Sequence, residues 1–531
     1  MAGKVASRRP ARWSALAGVV AVGAALGAGE LVAGLLPGAT SPILAVSRLI
    51  VDLQPPGAKD LFVALFGTAD KLALEVIIVV VALAVGAGVG RLAVTRLGTA
   101  ALVIAGFVGA GFVAALRDPN VQPALAAASA GIQAIVVVEL LRRLVDLATA
   151  AGGDAPRPGA GDGHGTLDGG MPDWRRRAFL RWSGVIGVAS VAGALVGRRM
   201  FNDQQALPTA DGVIPEPDQT AVVPDGASIA TDDLRAAGLA PIVVPNDRFY
   251  RIDTAFVPPN VERELWRLKV TGLVDQEVEL SWDELVQLPI IEQFVTIACV
   301  SNEVGGGLVG NASWTGVPLR AVLGMAGVRP EADQLVGISY DSFSAGMPVS
   351  WVMDESRVPM IAIGMNGVPL PREHGYPARL IVPGLYGYVS ATKWLAELRL
   401  TTFADYQAFW IVRGWADKAP ILTQSRIDVP RGGSSLAAGR VAVAGVAWAP
   451  DRGVQRVEVR VDEGAWQEAR MSTPISDSTW VQWVYEWDAT PGSHRLEVRA
   501  TDGTGEPQTD RRTNPFPDGA RGYHGIDVRV A

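Results

Sequence analysis

Four apolar runs in the first 141 residues constrain this 531-residue chain more than anything else in it. Residues 13–36, 72–89, 97–116 and 123–141 are each long enough to cross a bilayer's hydrocarbon core as a helix. Inside lipid the backbone has no water to bond, so such runs fold as helices that satisfy their own N–H and C=O groups. They are rich in Gly, Ala and Val, and small side chains let neighbouring helices approach closely. A weaker apolar stretch, 41–66, is broken by Pro55-Pro56 and is expected in a loop.

Lys and Arg set the expected orientation. Lys4, Arg8, Arg9 and Arg12 precede the first run, Arg91 and Arg96 lie between the second and third, and Arg142 and Arg143 end the fourth. With four crossings all three groups fall on one side, the cytoplasmic one. Arg48, Lys59, Lys71 and Arg117 fall on the other, so the bias is real without being absolute. Glu30, Glu75 and Glu139 are the acidic groups in these runs. Intramembrane carboxylates usually mark function. Here each is expected near an interface, and the bundle is expected to anchor. The four histidines, His164, His374, His494 and His524, lie elsewhere, which excludes a haem held by paired histidines in this bundle.

Residues 147–173 are rich in Gly, Asp and Pro and read as a flexible cytoplasmic linker in which His164 is solvated. Trp174-Arg-Arg-Arg177-Ala-Phe179-Leu180 follows, ahead of the apolar run 184–197. It resembles a twin-arginine export signal, with an ordinary positive-inside flank as the competing reading. With no clear small-residue cleavage site, 174–199 is expected to remain as a fifth crossing. A multi-pass cell-membrane protein results, with everything after about residue 200 extracytoplasmic.

The net charge of −7 gives no reason to expect a nucleic-acid partner. Cys299 is the only cysteine, so no internal disulfide forms. It follows the apolar run 294–298, read as a buried strand, and precedes the flexible Gly305-Gly-Gly307. A thiol so placed suits a soft or transition metal whose other ligands come from elsewhere. A buried structural cysteine is the alternative. Short β-branched runs at 268–270, 278–280, 293–297, 335–338 and 378–382 are interspersed with helical patterns at 282–288 and 319–326, which makes 200–417 an α+β domain. Residues 418–531 alternate apolar and polar between turn signals such as Asp451-Arg-Gly453 and Pro491-Gly492, the pattern of an immunoglobulin-like β-sandwich. His494 and His524 are expected to be structural there. The expected divisions are therefore 1–146, 147–173, 174–199, 200–417 and 418–531.

Four motifs carry a resemblance over roughly residues 230–531: Cys299-Val-Ser-Asn302, Trp314-Thr-Gly-Val-Pro-Leu319, His374-Gly-Tyr-Pro-Ala-Arg379-Leu-Ile-Val-Pro-Gly384 and Thr392-Lys393-Trp-Leu395. Together they resemble the sulfite oxidase family of molybdopterin enzymes. The resemblance implies that the Cys299 thiolate binds molybdenum, with the pterin dithiolene and oxo groups completing the site. It implies that His374, Arg379 and Lys393 hold the pterin and its phosphate, joined by backbone groups of Ala391 and Thr392. Phe249-Tyr250-Arg251 matches a segment that lies along the pterin and whose arginine often reaches the substrate oxyanion. Ile252 and Asp253 depart from the family's Asn-His, and an Arg251–Asp253 ion pair is the alternative. Asp341 matches an acid or hydroxyl contact to the pterin, with a turn-forming Asp as its competitor.

The family resemblance further implies two-electron oxygen-atom transfer on a small, anionic substrate, and a C-terminal domain of the dimerisation type. The sequence contains no Cys-x-x-Cys-His and no appended haem domain, so no haem is expected in this chain and electrons pass to a separate protein. Trp415 falls near the position where sulfite-oxidising members carry a tyrosine. Oxidation of a sulfite-like anion and reduction of an S- or N-oxide therefore both stay open. The rival from another class is a non-catalytic exported binding protein on the same fold. Retention of Cys299, His374, Arg379 and Lys393 argues against it.

Overall fold

The computed structural model describes residues 10–54, 65–66, 70–117, 121–149, 173–205, 213–227, 234, 236–255 and 257–531. The linker expected at 147–173, His164 included, lies almost wholly outside these residues. The chain forms two compact units, one of Met1–Leu207 with Ala255–Val257 and one of Pro208–Thr254 with Pro258–Ala531.

The first unit is helical: α1 Pro10–Leu35, α2 Pro42–Leu53, α3 Asp70–Ala93, α4 Leu97–Ala115, α5 Pro123–Thr149 and α6 Asp173–Gln205. Five of them, all but α2, are long and apolar enough to cross a membrane. The second helix corrects the loop expected at 41–66. Ser41 caps it, its hydroxyl accepting from the Leu44 N–H at 3.2 Å, and Pro42 sits at the first helical position where a missing N–H costs nothing.

Helix α1 packs against two neighbours at backbone distance. A Cβ added at Gly18 would lie 1.9 Å from the Gly86 carbonyl oxygen of α3, and one at Gly34 2.3 Å from the Gly197 oxygen of α6. Only glycine permits such approaches, which is how helices associate where no hydrophobic driving force separates them from lipid. Phe179 of α6 is fully buried in this bundle, edge-on to Trp13 at 5.5 Å. Arg198 of α6 reaches Glu75 of α3 at 2.8 Å and Glu30 of α1 at 3.7 Å, while the Ser41 hydroxyl donates to Glu30. Glu139, by contrast, pairs with Arg143 on its own helix at 2.6 Å.

The second unit opens with an extended arm. It then forms β1 Arg267–Gly272, β2 Val278–Ser281, β3 Ile291–Ala298, β4 Val309–Pro318, β5 Gln334–Ser339, β6 Ser344–Pro348, β7 Met360–Met365, β8 Val368–Pro369, β9 Arg379–Ile381 and β10 Leu395–Thr401. Two sheets result, one ordered β2-β1-β10-β5-β6, the other β3-β4-β7-β8 with β9 also on β7. Strands β3 and β4 form an antiparallel hairpin closing at Ala298↔Val309, so its loop begins at Cys299. The expected strands at 268–270, 278–280, 293–297 and 335–338 lie within β1, β2, β3 and β5, and β9 falls in 378–382. A helix occupies Leu319–Ala326, while the pattern at 282–288 forms only the short turn Trp282–Leu285.

Residues beyond 420 form β11 Gln424–Val429, β12 Ser435–Leu436, β13 Gly439–Trp448, β14 Val454–Val461, β15 Gln467–Glu468, β16 Arg470–Met471, β17 Val481–Ala489, β18 Gly492–Asp502 and β19 His524–Val530. They make two sheets, β11-β13-β17-β16 and β12-β19-β18-β14-β15. Val443, Trp483 and Trp487 of the first share one core with Val457, Val459, Leu496 and Val528 of the second. The alternation legible in 457–461 and 494–500 is the mark of strands with one buried face, and the two polar residues after Val454 coincide with a register shift in the ladder.

Candidate active site

Cys299 stands at the mouth of the β3–β4 hairpin, 9% exposed. Its N–H donates to the Leu308 carbonyl at 2.9 Å and its own carbonyl accepts from the Asn302 N–H at 3.0 Å. The Asn302 side-chain oxygen accepts from the Leu308 N–H at 2.8 Å and closes the loop on itself. The β-rich C-terminal region holds the loop from outside. Arg426 donates to the Gly306 carbonyl at 2.9 Å, and Gly305, at φ +80°, lies so close to His524 that a Cβ would sit 2.2 Å from its ring. The His524 Nδ1 accepts from the Ile427 N–H at 2.9 Å, which agrees with its expected structural role. Sequence reading quoted Asn302 in a motif without giving it a task, and it missed Arg426 altogether.

Two phenols interact electrostatically with Cys299. Burial, with the neighbouring Cys299, pushes the Tyr250 and Tyr386 hydroxyls well above the ordinary range, so both are neutral O–H groups. Tyr386 is buried and its oxygen accepts from the Leu422 N–H at 3.4 Å. It was not among the expected site residues, because nothing in a single sequence folds 386 back onto 299. Phe249 is a packing hub, stacked on Tyr250 at 5.3 Å and edge-on to Trp314 and His374 at 5.9 and 5.7 Å.

A basic cluster adjoins these phenols. His374 ends the turn Arg372–His374, and its Nε2 donates to the Asn246 carbonyl at 3.0 Å. Gly375 follows at φ +114°, where a Cβ would sit 3.0–3.1 Å from Arg379 and Lys393, so glycine lets those two segments meet. The Arg379 guanidinium is 3% exposed. It donates to the carbonyls of His374 at 2.9 Å and of Leu380 and Ala391 at 3.5 Å, and no carboxylate pairs with it among the described residues. Burial draws its pKa down to about 10. Lys393 donates to Asp253 at 3.1 Å and to the Glu373 carbonyl at 2.8 Å; burial lowers it to about 8 although Asp253 raises it. Arg251 Nε reaches the same Asp253 oxygen at 3.0 Å.

The remaining expected residues serve the backbone. Asp341, in the β5–β6 turn, accepts from the Phe343 N–H at 3.2 Å, one residue from Tyr340, whose N–H donates to the Trp394 carbonyl. The Ala391 N–H is committed to the Gly387 carbonyl at 2.9 Å, and the buried Thr392 hydroxyl donates to Gly337 at 3.3 Å. Trp415 packs among Phe516, Tyr388 and Trp410, with ring centroids at 5.3, 5.8 and 6.4 Å.

This donor set fits a phosphorylated, metal-bearing cofactor. A buried guanidinium without a carboxylate is an unfavourable arrangement that an anion relieves. A second buried cation lies beside it, and the only thiol of the chain faces the same region.

Histidine burial also sets an acid limit. His374 and His524 are both drawn down to about 4, first by burial and then by neighbouring cations. Their folded pKa lies below the ordinary value, so between about pH 6.5 and 4 the unfolded chain binds protons that the fold refuses. Stability is full above that window and is lost across it, by up to about 3 kcal/mol per histidine. Thermal unfolding of the cofactor-free chain is expected to fall steadily from pH 6.5 to 4. His524→Gln, which keeps an acceptor for the Ile427 N–H, is expected to remove about half of that slope; an unchanged slope would show that His524 does not titrate in this way.

Residues 255–410 match the family described as "Oxidoreductase molybdopterin binding domain". The chain is 31% identical over 301 residues to human mitochondrial sulfite oxidase, covering 48% of this chain and 55% of that protein. It is 31% identical over 170 residues to a rice NADH nitrate reductase, covering 27% of this chain and 18% of that one. Among solved structures it is similar to the sulfane dehydrogenase SoxCD of Paracoccus pantotrophus, at 23% identity and a TM-score of 0.48, covering 56% of this chain and 87% of that one. The chain thus spans about half the length of the human relative. With a thiol on a hairpin loop, a buried basic cluster near it and the family match over the same residues, residues 255–410 form an oxidoreductase molybdopterin-binding domain, and the chain is similar over about half its length to sulfite oxidases.

Proposed function

We propose that the chain is a membrane-anchored molybdopterin oxidoreductase that moves an oxygen atom and two electrons to or from a small substrate outside the cytoplasm. The observation that carries this reading is Arg379, buried, charged and without a carboxylate partner among the described residues, beside Lys393 and in reach of the same phenol as Cys299. Arg379 and Lys393 would hold the pterin phosphate, His374 would abut the pterin, and Cys299 would ligate the metal. When bound, the cofactor supplies the two-electron, oxygen-transfer chemistry. The protein's part is orientation and a controlled dielectric. Asn302 and Arg426 fix the Cys299 loop, and Tyr250 and Tyr386 offer neutral donors beside the sulfur.

The five membrane-length helices support an anchor. Close packing of Gly34 on Gly197 and burial of Phe179 build the twin-arginine-like segment into the folded bundle, which supports its retention rather than its cleavage. The Lys and Arg bias supports an orientation with the second unit outside. Electrons would pass to a separate protein, and the C-terminal sheets, read as an immunoglobulin-like domain, would serve a homodimer.

Purification of the full chain from membranes is expected to give close to one molybdenum and one pterin per chain. Protease added outside intact spheroplasts is expected to degrade the region after residue 213 and spare the α4–α5 helices. Molybdenum-free protein from cells with intact cofactor synthesis would sink the enzyme reading, and protection of the second unit would reverse the orientation.

A further inference from the structure

We propose that the helical unit binds an isoprenoid quinone, its ring held by Ser129 and Gln133 of α5. The site is a cavity of about 320 Å³ walled by residues of α1 to α5. That lies at the lower end of the range for small-molecule sites, with room for a ring and the start of a tail. Ile77, Val81 and Phe107 line the cavity and are exposed, which leaves the rest of the tail a way into lipid. No charged side chain lines it among the described residues, and its polar side chains are Thr40, Ser129 and Gln133. A phospholipid headgroup finds no counter-charge there, whereas a neutral molecule needs none.

The polar end of the cavity offers one acceptor and one donor. Gln133 Nε2 donates to the Ser129 carbonyl at 3.3 Å and to the Ser129 hydroxyl oxygen at 3.1 Å. That leaves Gln133 Oε1 without a donor and the Ser129 O–H without an acceptor among the described residues, although Ser129 is only 6% exposed. Polar groups left unsatisfied at membrane depth are costly, and they mark function. A quinol O–H donates to Gln133 while its oxygen accepts from Ser129, and a quinone carbonyl keeps the second of these bonds. An acid network adjoins this end. A Cβ added at Gly29 would lie 2.7 Å from Pro42 and 2.9 Å from the Gln133 amide, so α1 brings Glu30 up to the same place. Thr40 and Pro42 line the cavity on either side of Ser41, whose hydroxyl donates to Glu30. The other Glu30 oxygen lies 3.7 Å from Arg198 and accepts no hydrogen bond among the described residues, although the side chain is only 2% exposed. A buried carboxylate with a spare oxygen is a group that can pass protons to and from the ring.

The choice of a redox lipid over another neutral lipophile rests on the oxidoreductase reading above. When a substrate takes its oxygen from water, two electrons and two protons are left over. A quinone accepts both, two O–H bonds forming at its carbonyl oxygens, with the electrons carried singly by the separate electron-transfer protein. In the opposite direction the two O–H bonds break and the same electrons and protons are released.

The test uses the full chain in detergent, with its molybdenum content measured first. Organic extraction of the purified protein is expected to return close to one quinone per chain. Heptyl hydroxyquinoline N-oxide, a fluorescent quinone analogue, is expected to be quenched on titration with the protein and displaced by decylubiquinone. Gln133→Leu, which removes the amide at similar volume, is expected to weaken that binding about tenfold. Ala130→Phe fills the cavity from α5 and is expected to abolish both the quenching and the quinone in the extract. Molybdenum content should match wild type in both variants, and should Ala130→Phe fail to assemble, Gln133→Leu decides. Phospholipid without quinone in the extract of a molybdenum-replete chain, with the analogue unquenched, overturns this inference alone. So does unchanged binding in both variants, which would put the quinone elsewhere. Quinone bound to a molybdenum-free chain overturns the oxidoreductase reading and supports this site, and the absence of both overturns both.

Discussion

Cys299→Ser is expected to abolish turnover, lowering kcat by at least about 1,000-fold, while leaving the fold and much of the pterin binding in place. The reasoning separates metal from phosphate. Cys299 is the one thiolate this chain can offer, and a serine hydroxyl is harder, shorter and protonated at neutral pH. A loss of about 4 kcal/mol of transition-state stabilisation corresponds to that factor. The loop itself stands on the Cys299 N–H and C=O, on the Asn302 side chain and on Arg426, none of which the substitution touches. Arg379 and Lys393, which would hold the phosphate, are unchanged. Molybdenum and pterin per chain, measured side by side, check this. The expected result is a pterin content near wild type with molybdenum reduced or its spectrum altered. Wild-type molybdenum, an unchanged spectrum and unchanged turnover would show that Cys299 is not the ligand.

What the sequence could reveal followed from how local each signal is. The spans at 72–89, 97–116 and 123–141 were legible because a bilayer demands an unbroken apolar run. Helix α2 was missed because Pro55-Pro56 drew attention to the end of 41–66, while the start signal, Ser41 followed by Pro42, lay at the other end. Cys299 at a strand end was readable from the Phe294–Ala298 run and the glycines beyond it. Its surroundings were not. Tyr386, Arg426 and His524 reach the Cys299 loop from 87 or more positions away, and a single sequence records no such distances. Arg251 was read with two alternatives, and the geometry shows the ion pair with Asp253 while adding Lys393 as its second member. The Asp341 turn was legible for the same reason as the Cys299 loop, since an Asp that bonds the N–H two residues on is a purely local device.

Arg379→Met should separate stability from cofactor binding more sharply than any other change. In the cofactor-free chain the guanidinium is nearly fully buried, its hydrogen bonds go to carbonyls, and burial lowers its pKa to about 10. Holding that charge costs about 3 kcal/mol. Methionine removes the cost and fills similar volume against Trp314, over which the guanidinium carbon now sits at 5.1 Å. Against this stands the loss of one good hydrogen bond, to His374 at 2.9 Å, and two long ones at 3.5 Å, together about 1–3 kcal/mol. The two sums nearly cancel, so the melting temperature of the cofactor-free variant should stay within a few degrees of wild type. Cofactor retention has no such offset. A charge-assisted contact to phosphate contributes about 1.5–3 kcal/mol, so pterin occupancy at limiting supply should fall ten- to a hundredfold. Arg379→Lys, which keeps the charge but not the fork, should fall between. Pterin fluorescence after oxidation and a thermal melt on the same samples decide it. Wild-type occupancy in Arg379→Met would remove Arg379 from the phosphate site, and a large fall in the cofactor-free melting temperature would mean that its hydrogen bonds, not its charge, are what the fold retains it for.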